Sequence, residues 1–200
     1  MALDPLFTVD DVEARLGRDL TAAETARSDG LIADVSAAVR ARTGQQLTEA
    51  TSTDVRLRVR RGKVRLPQRP VTAVTAIKDV NGNPLTFTRL GDDMVQVQPN
   101  LDPFSYVPWR NGISVVDVTY THGYATADMP DDIIGVCCSV FARAVGRNPL
   151  DSGVTAETIA GYSYTMGAVG AAGGFGLLAD EREILDRYRR KGGFVQIGPT

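Results

Sequence analysis

The chain has 200 residues, of which 43% are hydrophobic, enough for one core or at most two without disulfides or metals to hold it. A formal net charge of -2 argues against a globally basic nucleic-acid binder, and no run approaches the roughly eighteen consecutive apolar residues of a membrane span. A soluble protein, one domain with appendages, is expected. Met1 to Pro5 has neither the charged nor the apolar region of a secretory signal, so the chain is expected to stay in the cytoplasm where it is made, with its thiols reduced. Its only cysteines, Cys137 and Cys138, are neighbours that cannot bridge to each other without severe strain, which leaves core packing as their expected role.

Thr8 and Asp11 have capping-box spacing, and Val9, Val12 and Leu16 mark one face of a short helix that stops at Gly17. Thr21 and Glu24 repeat the spacing. The stripe Leu31, Ile32, Val35, Ala38, Val39 then runs to Gly44, with Arg40 and Arg42 where the helix dipole favours cations. Residues 1–50 thus read as an acidic helical hairpin. From Asp54 the period changes to two, with Val55, Leu57 and Val59 on one face and Arg56, Arg58 and Arg60 on the other. Arg61-Gly62 can turn this strand into Lys63 to Leu66, after which Pro67 and Pro70 confine the chain to an edge or a loop. A second pair is signalled by Val71 to Ile77, the Asn81-Gly82 turn and Leu85 to Leu90, and a third strand by Met94 to Val97. Pro99 to Pro108 is irregular, and Trp109 precedes a turn at Asn111-Gly112.

The strand that follows, Ile113 to Tyr120, puts Val116, Val118 and Tyr120 on one face and Ile113 and Val115 on the other, and reads as buried on both sides for part of its length. Gly123 supplies a turn, Pro130 suits a first helical position, and Asp131 and Asp132 match the positive end of the dipole. Ile133, Ile134, Cys137, Val140, Phe141 and Ala144 make this the principal core helix, which Gly146 caps. Thr158 to Thr165, with Tyr162 and Tyr164, suggests a short strand, and Gly167 to Gly176 a mobile glycine-rich segment. Asp180 and Glu183 open a last helix with Ile184, Leu185 and Tyr188. The predicted class is α+β: a helical bundle from 1–50 and 128–192, an inserted antiparallel β region at 51–124, and a tail at 193–200.

Little of this points to catalysis. His122 is the only histidine, so a site of several histidines is excluded, and a triad would need it as base with Ser163 or Ser139 as nucleophile. No nucleophile elbow surrounds either serine, and a histidine beside a turn glycine is more often a hydrogen-bonded turn residue. Asp131 and Asp132 diverge by about 100° on a helix, which fits dipole matching and not paired carboxylates. The glycine run lacks the ending of a phosphate loop. No catalytic residue, metal or cofactor is therefore expected. Residues 54–69 carry Arg56, Arg58, Arg60, Arg61, Lys63, Arg65 and Arg69 against the single acid Asp54. That face can meet DNA phosphates or an acidic protein surface, or can be an edge strand protected from aggregation by its charges. Trp109, Tyr162 and Tyr164 are interface anchors or core aromatics.

The order and spacing of several stretches resemble the head-to-tail connector, or adaptor, proteins of long-tailed bacteriophages, especially those of actinobacteria. These stretches are Thr8 to Gly17, Leu66 to Val71, Val118 to Tyr124 with Pro130 to Ile133, Glu157 to Thr165, and Asp180 to Arg190. The resemblance implies a non-enzymatic virion protein of the neck, assembled as a ring of twelve under the portal protein. It implies that the ring extends the channel for passing double-stranded DNA and docks the head-closure (stopper) or tail-completion protein. Portal contact would fall on Arg187, Arg189, Arg190, Phe194 and Ile197. Arg56, Arg58, Arg60, Arg61, Lys63 and Trp109 are candidates for the subunit interface or the channel, and the acidic N-terminal helices and basic strand pair for meeting head to tail. The alternatives are a DNA-binding module using the 54–69 hairpin and, third, a small hydrolase built on His122.

Overall fold

Two capping boxes open the chain. The Thr8 and Thr21 hydroxyls accept from the Asp11 and Glu24 N–H groups, and the two carboxylates accept the Thr8 and Thr21 N–H groups in return, each at 2.8 Å. The computed structural model describes residues 3–98, 115–146, 156–159, 162–165 and 176–189. They divide into two units, one within Met1–Gly44 and Met129–Arg189, the other within Gln45–Asp128.

In the first unit, helix α1 (Val9–Leu16) stops at Gly17 and α2 (Ala22–Thr43) at Gly44, both glycines left-handed as a helix stop requires. Between them the Glu13 carboxylate accepts the Leu20 N–H at 2.8 Å and fixes the turn. Ile32, Val35 and Val39 are buried, whereas Leu31 and Ala38 reach only half-burial. Ser28, Ser36 and Thr43 complete the buried stripe with their hydroxyls satisfied: Ser28 and Thr43 donate to carbonyls one turn back, and Ser36 accepts the Leu6 N–H. Helix α3 (Asp131–Val145) packs against α1, α2 and α4 (Ala179–Asp186), and it buries Ile133, Val136, Cys137, Cys138, Val140, Phe141 and Val145. At roughly 1.5–3 kcal/mol for each large apolar side chain, this is the main stabilising surface of the unit. Phe141 meets Phe7 edge-on at 6.0 Å. Burial pushes the Cys137 and Cys138 thiols up to about 12 and about 11, so both pack as small protonated apolar groups. Gly146 ends α3 in the right-handed region and not as a left-handed cap.

Helix α4 is opened by Glu181 and not by the Asp180 and Glu183 pairing, since the Glu181 carboxylate accepts the Leu178 N–H at 2.8 Å. Three polar contacts then hold it: Arg143 to Glu181 at 2.6 Å, Arg42 to Asp186 at 2.6 Å, and Tyr188 Oη donating to Asp132 at 2.7 Å. Leu185, fully buried, supplies the apolar contact.

The second unit has strands β1 (Ala50–Arg58), β2 (Lys63–Arg65), β3 (Val71–Lys78), β4 (Thr86–Arg89), β5 (Met94–Gln98) and β6 (Val115–His122), with a short 3-10 turn at Thr126–Asp128. The expected hairpins do form turns, but their strands part company. All pairings are antiparallel, in two three-stranded sheets ordered β1-β6-β3 and β2-β5-β4. Register explains the choice: against β6, Leu57 faces Val116, Val55 faces Val118 and Arg56 faces Asp117, so apolar meets apolar and cation meets carboxylate. The β1–β2 and β3–β4 turns each send one strand to each sheet, and both sheets contribute to one cluster of Leu57, Val64, Leu66, Ile77, Val95 and Val118 among others. On β6, Val116, Val118, Tyr120 and His122 are buried while Val115, Asp117, Thr119 and Thr121 are half-buried, so one face is core, not two.

After β6 the chain is locked to its own beginning. Gly123 donates to the Pro70 carbonyl at 2.8 Å, Tyr124 to Leu47 at 2.7 Å, and Glu49 to Tyr124 at 2.9 Å. Gly123 has φ +92, and a Cβ there would stand 2.2 Å from the Thr48 carbonyl oxygen. Elsewhere, the segment read as one strand is a two-stranded ladder of β7 (Ala156–Ile159) and β8 (Tyr162–Thr165), with Ile159 opposite Tyr162. Pro99 to Pro108, Trp109, Ile113, the glycine-rich residues 167–175, Arg190 and the tail from 193 lie outside the described residues.

Gly123→Ala combines a left-handed backbone with an overlap that only backbone movement relieves. It is expected to destabilise the protein by about 2–5 kcal/mol, read as a lowered midpoint in urea.

Candidate functional site

His122 closes β6 as a fully buried strand residue and not as a turn residue. Its Nε2 lies 2.8 Å from Ser52 Oγ, its ring is tilted against Tyr120 at 5.3 Å, and Nδ1 has no partner among the described residues. We assign Nε2–H as the donor to Ser52, because the other tautomer would bury an N–H with nothing to accept it. Burial pushes the imidazole below its ordinary range and keeps it neutral. The serine at hand is therefore neither Ser163 nor Ser139, and among the described residues no carboxylate orients Nδ1 as the third member of a triad would. Among the described residues, no group of His, Cys, Asp and Glu is arranged to hold a metal ion.

The basic strand pair divides into two sets. Arg56 is bound by Asp117 through Nε at 2.9 Å and Nη2 at 3.2 Å, Arg65 by Asp93 at 3.0 Å, and Lys78 meets Asp54 at 3.5 Å. These charges are answered within the sheets. Arg58, Arg60, Arg61 and Lys63 are exposed and form no ion pair among the described residues. They gather at the β1–β2 turn, where Arg60 and Lys63 exchange backbone hydrogen bonds of 2.8 and 2.9 Å across Arg61 (φ 52) and Gly62 (φ 75). Two left-handed residues in a two-residue loop match the right-handed strand twist, although asparagine or glycine fits the first position with less strain than arginine. The Gly62 carbonyl accepts the Val97 N–H at 2.9 Å, which pins the tip to β5. β1 is an edge strand, so its charges also guard that edge.

The N-terminal helices show the opposite arrangement. Arg15 donates to the Asp131 carbonyl, Arg27 to Val145, Arg40 to Asp4, and Arg42 pairs with Asp186. Arg18 grips Glu24 through two bonds of 2.9 Å, and with the Thr21 capping bonds this holds the Glu24 carboxyl down at about 2. Every arginine of α1, α2 and the turn between them is thus engaged. Asp10, Asp19, Asp29 and Asp34 are exposed with no ion pair among the described residues. The outer side of α2 carries Ala22, Ala26, Gly30, Ala33, Ala37 and Ala41, all exposed, and a Cβ on Gly30 would touch nothing within 4 Å. Sequence reading passed over this side because it looks for apolar stripes of large residues. The available signal was the spacing of small ones, in steps of four broken once by a step of three between Gly30 and Ala33.

Of the portal-contact candidates, Arg187 and Arg189 are exposed beyond α4, while Arg190, Phe194 and Ile197 lie outside the described residues, as does Trp109. Among the described residues no helix is long and apolar enough to cross a membrane.

No family model and no curated protein matches the chain. Solved structures that hold chains similar to it include three in which the alignment covers 96% of this chain and 97% of the other. One is the neck of a native gene transfer agent (GTA) particle computed with C12 symmetry, at 17% identity and a TM-score of 0.44. Another is the neck of an empty GTA particle computed with C6 symmetry, at 18% and 0.46. A third is the virion of a native GTA particle, at 20% and 0.49.

Because burial lowers the folded-state pKa of His122, the unfolded chain binds the proton more readily. The stability that neutral His122 confers is complete above the unfolded value of about 6.5 and is lost as pH falls below it. Urea midpoints of the wild type are expected to fall between about pH 7 and 5 more steeply than those of His122→Gln, and parallel curves would contradict the assignment.

Proposed function

We propose that the chain is a structural subunit of a phage-type neck: a head-to-tail adaptor whose helices form a bundle and which assembles as a ring of twelve under the portal. In this reading it extends the DNA channel and docks the head-closure or tail-completion protein, and its work is contact, not catalysis. One observation carries the reading. Four of the five stretches that resemble connector proteins hold joints of this fold; the fifth, Glu157 to Thr165, is the β7–β8 ladder. Thr8 to Gly17 is α1 with its capping box and left-handed stop. Leu66 to Val71 crosses from β2 to β3, where the Pro67 carbonyl accepts Gln45 Nε2 and the Pro70 carbonyl accepts the Gly123 N–H. Val118 to Tyr124 ends the central strand, Pro130 to Ile133 starts α3, and Asp180 to Arg190 includes the Asp186 and Tyr188 contacts of α4. A likeness confined to exposed positions would say little about architecture; one located at joints speaks to the fold itself.

A second reading, a DNA-binding module, is favoured by the unpaired cations of the β1–β2 turn. It is weakened because Arg56 and Arg65 are held by Asp117 and Asp93, which leaves a small basic face.

Light scattering of the purified protein at several concentrations, alone and with portal rings, separates the two. The adaptor reading expects a twelvefold mass, alone or on the portal. A chain that stays monomeric beside the portal and binds free duplex with steep salt dependence would replace it with the DNA-binding reading.

A further inference from the structure

We propose that the cationic β1–β2 turn of one copy docks on the outer side of α2 in a second copy. The inference rests on the assembly reading above and names the contact between neighbouring copies. Arg58, Arg60, Arg61 and Lys63 stand without ion pairs among the described residues, on a turn pinned by the Arg60–Lys63 exchange and by Val97 donating to Gly62. An arginine at the left-handed position of a tight turn is not there for local stability, and its charge stands at the very tip.

The receiving side is equally specific. At about 100° per residue, Ala22, Ala26, Gly30, Ala33, Ala37 and Ala41 share one side of α2, with Asp29 and Asp34 at its two margins. A solvated helix side normally carries long polar side chains, whereas this one, apart from Arg40, which turns to the Asp4 carbonyl, carries small residues and two carboxylates that meet no cation among the described residues. Arginine stems can lie flat on such a floor and present their planar forks to the marginal carboxylates. The alanines and the glycine lose no side-chain entropy when covered, and the pinned turn has little freedom left to lose. DNA on the turn would leave the carboxylates of α2 unanswered. A second copy answers both surfaces with one contact, at a concentration equal to the chain's own. Since the two surfaces differ, the contact is heterologous: it repeats head to tail and closes into a ring or runs on as a filament.

The test is a charge swap read by light scattering and sedimentation, with circular dichroism to confirm folding of these exposed-site variants. Arg58→Glu with Arg60→Glu, and separately Asp29→Lys with Asp34→Lys, are each expected to raise the concentration needed for assembly roughly tenfold or more. Mixing the two variant proteins is expected to restore the mass, because each supplies the surface the other now fits. Wild-type assembly that survives both swaps, or a mixture that fails to recover, would overturn this contact while leaving the assembly reading standing. A hairpin swap that abolishes duplex binding and leaves the mass unchanged would assign the turn to DNA instead. A wild type that stays monomeric at every concentration, with portal present, would overturn both.

Discussion

The sheet unit depends on the approach of Gly123 to the Thr48 carbonyl. With a Cβ excluded at 2.2 Å and φ at +92, only glycine lets the chain leaving β6 lie against residues 47–49 and reach Pro70. That closure places the end of β6 between the start of β1 and the start of β3, with His122 opposite Ala50 on one side and Val71 on the other. Once β6 is anchored, its alternation decides the rest. Val116, Val118 and Tyr120 point into the core, and Asp117 lies beside both Arg56 and Lys78. Burying His122 with no partner for Nδ1 among the described residues is a cost this arrangement carries, offset in part by the Ser52 bond.

What could be read in advance was what neighbouring residues decide. Thr8 with Asp11, Thr21 with Glu24, Gly17, Gly44 and the Arg61-Gly62 turn are local devices, and each does in the structure what its spacing suggests. Strand partners were not legible in the same way. β1 and β2 share a turn but pair with β6 and β5, because the cross-strand matches of Leu57 with Val116 and Arg56 with Asp117 join residues about sixty apart in the chain. The same distance hid the Asp117 partner of Arg56, and a separation of 28 residues hid the Asp93 partner of Arg65. The start of α4 was misplaced for a related reason: Glu181 both accepts the Leu178 N–H and pairs with Arg143 of α3, a contact no local spacing announces.

The charges are sorted by use. In the helical unit the arginines of α1 and α2 turn inward to carbonyls and carboxylates, which leaves Asp10, Asp19, Asp29 and Asp34 outside. In the sheet unit the reverse holds at the β1–β2 turn, whose cations are left over after Asp117, Asp93 and Asp54 are engaged. A chain of net charge -2 therefore presents strong local fields of both signs, which suits selective contact between protein surfaces better than general attraction to nucleic acid.

That the chain is a ring-forming adaptor is tested most directly by electron microscopy of the purified protein mixed with portal rings. The account predicts end views with twelvefold rotational symmetry and side views with an added layer on one face of the portal. Portal rings that remain bare, beside protein that forms no ring of its own, would contradict it.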